Sequence, residues 1–181
     1  ERYGYRRVET HIFERTEVFS RAIGETTDIV QKEMYSFKDR AGRDLTLRPE
    51  ETAPVVRVYI EHKLYRQSPL LKLYYCGPMF RYERPQAGRY RQFFQLGVEA
   101  LGSADPALDA EVIELLIRYF EELKLSDLRL HLNSVGDSVC RPRYVETLRN
   151  YLREHLSDFC SDCRKRAEVN PMRVFDCKNE R

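Results

Sequence analysis

No stretch of this chain approaches the roughly 18 consecutive apolar residues that a membrane-spanning helix needs, and none resembles a signal peptide. The chain also has little net charge, formally +2, which is too close to neutral to imply nucleic-acid binding from overall charge. Any anion site must therefore come from local clustering. Cysteines number five, an odd count in an ordinary composition, so a disulfide scaffold is not indicated and a reducing, cytoplasmic compartment is expected. Internal repeats and low-complexity linkers are lacking. So is an initiating methionine: the chain opens on Glu1 and closes on the charged run Lys178-Asn179-Glu180-Arg181, and both ends read as cut.

What is present suffices for a folded domain. At 181 residues, 42% hydrophobic and 33% charged, the chain can be one large domain or a domain with a small appendage. Its most informative stretch is Leu70 to Leu101, two strand-like runs around an arginine-rich turn, as in a long β-hairpin. From Arg89 onward the residues alternate. Tyr90, Phe94, Leu96 and Val98 share one face, while Arg89, Arg91, Phe93, Gln95, Gly97 and Glu99 share the other. Such alternation predicts a strand with one face in the core, and the apolar set is assigned to it.

Upstream, Tyr5 to Phe13 reads as a short strand ending near Glu14. Thr16 can cap a helix over Glu17 to Ile23 that Gly24 ends. Met34–Phe37 and Asp44–Leu47 read as strands joined by a turn at Gly42. A helix over Thr52 to Leu64 follows, with Pro54 in its first turn and Ala53, Val56, Ile60 and Leu64 as its apolar stripe. Downstream, Asp105-Pro106 starts a helix whose stripe is Val112, Ile113, Leu116, Ile117, Phe120 and Leu123. Leu128 to Asn133 alternates as a strand. Helices are expected over Val139–His155 and Asp158–Val169, then a short strand at Met172–Phe175. Antiparallel-looking strands with helices between hairpins make an α+β pattern rather than a regular βαβ one.

Three constellations could carry chemistry. Arg81, Arg84, Arg89 and Arg91 lie within eleven residues, interleaved with Tyr82, Glu83, Tyr90 and Phe93. Guanidinium groups contact phosphate oxygens in pairs and aromatic faces stack on bases, as a nucleotide site requires. A solvated, salt-bridged hairpin would have the same composition, but would not place Gln95, a glycine gap at Gly97 and Glu99 on the face that holds the cations. In Arg48-Pro49-Glu50-Glu51-Thr52, a carboxylate at a strand-to-helix junction can hold an ammonium. Taken alone, that segment is equally an ordinary first helical turn.

Cys160, Cys163 and Cys177 form a C-x2-C with one later thiol, the usual first half of a zinc site. A fourth ligand, which Cys140 or His155 could supply, is missing from the local pattern. No metal is therefore assigned, and small buried residues at a helix start are the preferred account. His11, His62, His131 and His155 are scattered and show no ligand spacing.

Three blocks of this sequence resemble the catalytic domain of histidyl-tRNA synthetases, a family of class II aminoacyl-tRNA synthetases. Gly24–Phe37 (GETTDIVQKEMYSF) and Leu45–Arg57 (LTLRPEETAPVVR) are similar to the family's amino-terminal signatures. Gly77–Phe93 (GPMFRYERPQAGRYRQF) is similar to the second class II motif in its histidine-specific form; NSVGD at Asn133–Asp137 and NPMRVFDCK at Asn170–Lys178 also fit. The resemblance covers most of the chain. It implies an antiparallel sheet flanked by helices, incomplete here, with about 1–137 holding the sheet and second motif and about 138–181 a helical segment leading toward an insertion.

The activity implied is formation of histidyl-adenylate from ATP, with Mg2+ as its counter-ion, and transfer to tRNA(His) by a homodimer, with no organic cofactor. Carried over residue by residue, Arg81 would grip the α-phosphate as the catalytic cation. Glu83 and Arg89 would handle the adenine edge and outer phosphates, and Phe93 would stack on adenine. Glu50, Thr52 and Gln95 would hold the amino end of histidine and Glu99 its imidazole, with Gly97 leaving room for the ring.

The chain departs from the family pattern at His11 for proline, Glu51 for glycine and Phe94 for histidine. Of these, Glu51 is expected to add a carboxylate beside the amino-acid site, and Phe94 to turn toward the core. The third motif and an arginine-bearing histidine-specific peptide are expected beyond Arg181, so the chain by itself should bind weakly and catalyse poorly. The competing expectations are a non-catalytic histidine-sensing paralogue, such as the regulatory subunit of ATP phosphoribosyltransferase, and a tRNA-binding domain of the kind fused to stress kinases. The complete set Arg81, Glu83, Arg89, Gln95 and Glu99 argues against the first, and no kinase boundary supports the second.

Overall fold

The computed structural model describes residues 2–23, 29–84, 86–134 and 136–177. They fall into two compact units, Glu1–Ser126 and Asp127–Arg181. None of the described helices is long and apolar enough to cross a membrane.

The first unit holds two three-stranded sheets. In one, β1 (Arg6–Arg7) runs parallel to β5 (Leu71–Phe80), and β5 pairs antiparallel with β6 (Gln92–Leu101) in the order β1-β5-β6. In the other, β4 (Asp44–Leu47) lies between β2 (Phe13–Arg15) and β3 (Ser36–Lys38), all antiparallel. The strand expected over Tyr5–Phe13 is thus two strands in different sheets. Between them Thr10 gives its carbonyl to the Arg48 guanidinium at 3.1 Å instead of to a ladder. The β3–β4 turn forms as expected, with Gly42 at φ 79° and Asp39 Oδ1 accepting from the Ala41 and Arg43 amides, both at 2.9 Å.

Helix α1 (Thr16–Ile23) begins one residue before the expected Glu17, with Thr16 inside it; its expected stop at Gly24 lies outside the described residues. Helix α2 (Thr52–Glu61) packs on one face of the β5–β6 hairpin. That face supplies the core: Val55 of α2 with Leu71, Leu73, Tyr75 and Met79 of β5, and Phe93 and Leu101 of β6 against them. The buried residues of α2 are Ala53, Pro54 and Val55, whereas the expected Ile60 is exposed and Leu64 falls beyond the helix, which ends at Glu61. Burying a residue the size of Val55 contributes about 1.5 kcal/mol or more.

The hairpin register decides which face this is. Met79 pairs with Phe93, Gly77 with Gln95, Tyr75 with Gly97 and Leu73 with Glu99, and directly paired residues share a face. The polar set of β6 therefore lies on the side that α2 covers. Phe94, assigned to the core from alternation, is 72% exposed, and Leu96 is exposed beside it. Alternation separates two faces but carries no information about which one a distant helix covers.

Helix α3 (Pro106–Glu122) starts where Asp105 Oδ1 accepts from the Ala107 amide at 2.9 Å. Its Glu111 pairs with Lys72 at 2.7 Å. The expected apolar stripe is not sealed: Val112, Leu116 and Phe120 line an open apolar cavity of about 550 Å³ with Tyr74 and Val98.

In the second unit, Leu128–Asn133 forms no strand. It takes part in none of the described ladders, and Leu128, Leu130 and Leu132 are exposed. Helices α4 (Cys140–Glu154) and α5 (Ser161–Val169) follow, and Pro171–Asp176 is a 3-10 helix where a strand was expected. Proline suits a first helical turn, and so short an apolar run fits either structure. Leu152, Cys163, Ala167 and Val174 are the buried core of this unit. All five cysteines are unpaired.

Candidate active site

The site begins at the α2 N-terminus. Glu50 folds back so that its Oε2 accepts from the Thr52 amide at 2.7 Å and its Oε1 from the Ala53 amide at 3.1 Å. This satisfies two of the amides that a helix start leaves open and places an anion at the positive end of the dipole. Thr52 donates its hydroxyl to Glu99 Oε1 at 2.7 Å, and Tyr75 OH donates to the same oxygen at 3.5 Å. Gln95 Oε1 is buried with no hydrogen-bond partner. An orphaned acceptor of this kind costs about 1–3 kcal/mol unless a water or a ligand donates to it.

Burial, with neighbouring carboxylates adding to it, sets the local titration. Burial raises the Glu99 carboxyl above its ordinary value, the Glu50 charge adds to this, and bonds from Thr52 and Tyr75 oppose it. Burial likewise pushes the Tyr75 phenol up to about 12, with the charges of Glu99, Glu50 and Glu51 adding and a bond with Thr52 opposing. This end of the hairpin is thus acidic and dressed with hydroxyls, suited to a cationic or N–H-bearing ligand. Beside it, a cleft of about 1120 Å³ is bordered by Glu50 and Thr52 together with Glu14, Arg57 and Ile60.

The other end is cationic. Arg81 donates from Nε to the Pro49 carbonyl at 2.8 Å, and its guanidinium carbon sits 5.1 Å over the Phe93 ring. That bond and stack fix the plane of the guanidinium, while its terminal nitrogens make no hydrogen bond among the described residues. The turn beyond is closed by Gln86 and Arg89, whose backbones bond in both directions at 3.4 and 2.9 Å, with Gly88 at φ 78°. Arg89 lies 3.8 Å from Glu83. Arg91 donates to the Glu83 carbonyl at 3.3 Å and stacks 4.2 Å over Tyr82. From Phe93 to Glu99 the strand advances about 20 Å, so the cationic and acidic ends are separate subsites on one face.

Several expectations change. Gly97 does not hold space for a ligand ring: a Cβ there would lie 2.3 Å from Cζ and OH of Tyr75, whose own ring fills the gap. Glu51 does not enter the amino-acid site. It is 1% exposed and turned inward, where its Oε1 accepts from Arg48 Nη1 and Thr10 Oγ1, each at 3.1 Å. Arg48, itself buried, also donates to the Pro78 carbonyl at 2.9 Å. Gly77 is required here, since a Cβ on it would meet Arg48 Nη2 at 2.3 Å. His11 is exposed, 3.9 Å from Glu14. Tyr75 was missed as a site residue because it sits at a core-facing position of a long apolar run, where an aromatic residue reads as packing. Arg48 and Glu51 lie in the non-helical link between β4 and α2, so no helical spacing announced that pair.

In the second unit, the sulfurs of Cys160, Cys163 and Cys177 converge, while Cys140 and His155 are engaged elsewhere. Cys140 Sγ accepts from the Asp137 amide at 3.2 Å, and His155 stacks on Tyr151 at 4.3 Å.

The long hairpin with a helix N-terminus over one face defines an α+β, class II aminoacyl-tRNA synthetase-like fold. Its overlay on the apo histidyl-tRNA synthetase of S. aureus gives a TM-score of 0.72 at 43% identity, covering 99% of this chain and 41% of that one. A family model described as histidyl-tRNA synthetase matches residues 1–157, and the chain belongs to that family. Among curated relatives, the histidine–tRNA ligase of Moorella thermoacetica is 60% identical over 98% of this chain, and that of Halalkalibacterium halodurans 57% over 99%. This chain spans 42% of the length of each. A Bacillus halodurans structure described as an ATP phosphoribosyltransferase regulatory subunit/histidyl-tRNA synthetase matches with a TM-score of 0.62 at 26% identity, over 91% of this chain and 46% of that one.

Proposed function

We propose that this chain is the part of a histidine–tRNA ligase that binds ATP and histidine and aligns them for adenylate formation. One observation carries the proposal. A single strand face bears Phe93 under Arg81 at one end, Glu99 bonded to Thr52 at the other, and an unsatisfied Gln95 between them.

On this proposal a carboxylate oxygen of histidine attacks the α-phosphorus of ATP, the bond to the bridging oxygen breaks, and pyrophosphate leaves. A hydroxyl of tRNA(His) then attacks the aminoacyl carbonyl and AMP leaves. Nucleophile and target are both anions, so the protein's work is alignment and neutralisation of charge. Arg81, its plane fixed by Pro49, supports the role of α-phosphate clamp, with Phe93 stacking adenine and Glu83 and Arg89 meeting the adenine edge and outer phosphates. Magnesium would arrive with the ATP as its counter-ion. Glu50, Thr52 and Gln95 would receive the α-ammonium, and Glu99 would accept from the imidazole N–H. An analogue lacking that N–H would strand a buried acceptor and be rejected. The setting proposed is a cytoplasmic homodimer, and light scattering that found the full-length protein monomeric would remove the dimer from the proposal.

The test is histidine-dependent ATP–pyrophosphate exchange in the full-length protein, wild type against Arg81→Ala. Loss of one preorganised cation at the reacting phosphate should lower exchange by about 100-fold or more. Histidine binding by the wild type without exchange would favour instead a histidine-sensing protein, the alternative raised by the Bacillus halodurans relative at 26% identity.

A further inference from the structure

The second unit contains a cluster that the proposed reaction does not use. The sulfurs of Cys160, Cys163 and Cys177 all lie within 4.8 Å of one another, with Cys160 and Cys177 at 4.0 Å. Cys160 precedes α5 and Cys163 lies in its first turn, so the C-x2-C wraps the N-terminus of that helix. Cys177 arrives from the far side of the 3-10 helix Pro171–Asp176. Two chain segments therefore deliver three sulfurs to one point.

We propose that these three thiols bind one Zn2+ ion, which clasps the end of the chain segment after α5 to the start of that helix. The geometry is close to that of a loaded site. With Zn–S bonds of about 2.3 Å, two sulfurs of a tetrahedron stand about 3.8 Å apart. The observed spacing needs a contraction of at most about 1 Å. A disulfide would use two of the three sulfurs and leave the third without a role, whereas a thiophilic ion uses all three. The need for a clasp is physical as well. The unit's buried core is Leu152, Cys163, Ala167 and Val174, and a core of that size rarely holds a small unit without a metal or a covalent staple. Binding converts three thiols to thiolates and releases their protons to solvent. Water or an external donor completes the fourth position. The inference does not depend on the synthetase reaction.

The test uses the full-length protein, reduced and purified without chelator. Elemental analysis should give one zinc per chain, and Co2+ added to the chelator-stripped protein should produce a sulfur-to-metal charge-transfer band. Cys163 is buried, so the variants are the more accessible Cys160→Ser and Cys177→Ser. Each should lose the band and bind zinc about 100-fold more weakly, with pyrophosphate exchange measured alongside to show that the fold persists. Absence of zinc together with absence of the cobalt band in the wild type would overturn the proposal. So would a band unchanged in both variants, or a Cys160–Cys177 disulfide persisting under reducing conditions.

Discussion

Thr52 and Glu99, 47 residues apart in sequence, meet in a hydrogen bond of 2.7 Å that joins the start of α2 to the C-terminal end of β6. The bond fixes one Glu99 oxygen. Burial and the charge of Glu50 raise the Glu99 carboxyl above its ordinary value of 4.5, although Thr52 and Tyr75 hold it back. In the window just above that value the folded protein holds more protons here than the unfolded chain. Stability contributed by this group therefore falls as pH rises through the window. Glu99→Gln should remove that slope and leave the variant relatively more stable at neutral pH than in acid. Urea unfolding across a pH series checks this, and a difference from wild type that does not change with pH would refute it.

The division of the hairpin into two ends predicts separable kinetic effects. Phe93→Leu keeps an apolar residue against Met79 while removing the stacking face, and should raise KM for ATP on the order of 10-fold with KM for histidine little changed. Glu99→Gln should do the converse. Steady-state exchange with each substrate varied in turn distinguishes them. Equal effects on both constants would mean the two ends are not separate subsites.

Gly97→Ala should destabilise the hairpin by about 1–3 kcal/mol through overpacking against the Tyr75 ring. Replacing Tyr75 with Leu makes room for the methyl group, so the double variant should be less destabilised than the two single effects added together. Strict additivity in chemical denaturation would show that the ring is not what Gly97 accommodates.

Arg48→Met strands Glu51 inside the protein without its cation. That should cost about 3–5 kcal/mol, the usual penalty for breaking a buried pair from one side. Arg48→Met with Glu51→Met replaces both charges by apolar groups of similar length and should recover most of the loss. If the double variant is as unstable as the single one, the pair is not the source of the effect.

Much of the candidate site's arrangement was legible in the sequence for local reasons. The cluster Arg81, Glu83, Arg89 and Phe93 was visible because a hairpin keeps its residues close, and Glu50 and Thr52 because a strand-to-helix junction has a recognisable composition. The Asp105 cap and the Gly42 turn were legible for the same reason, since each depends on a few neighbouring residues. Leu128–Asn133 was misjudged because alternation marks a segment able to be a strand, while a ladder needs a second strand to supply its hydrogen bonds.

The sequence by itself determined the hairpin, the alternation that places Phe93, Gln95, Gly97 and Glu99 on one face, and the C-x2-C at the start of α5. Tertiary structure decided what each of these faces. Packing of α2 made the polar face of β6 the covered one and left Phe94 in solvent. It also turned Glu51 inward to Arg48, filled the gap at Gly97 with Tyr75, and brought Cys177 back to the other two sulfurs. Periodicity is a property of neighbours along a chain, whereas burial depends on which distant segment arrives to exclude water.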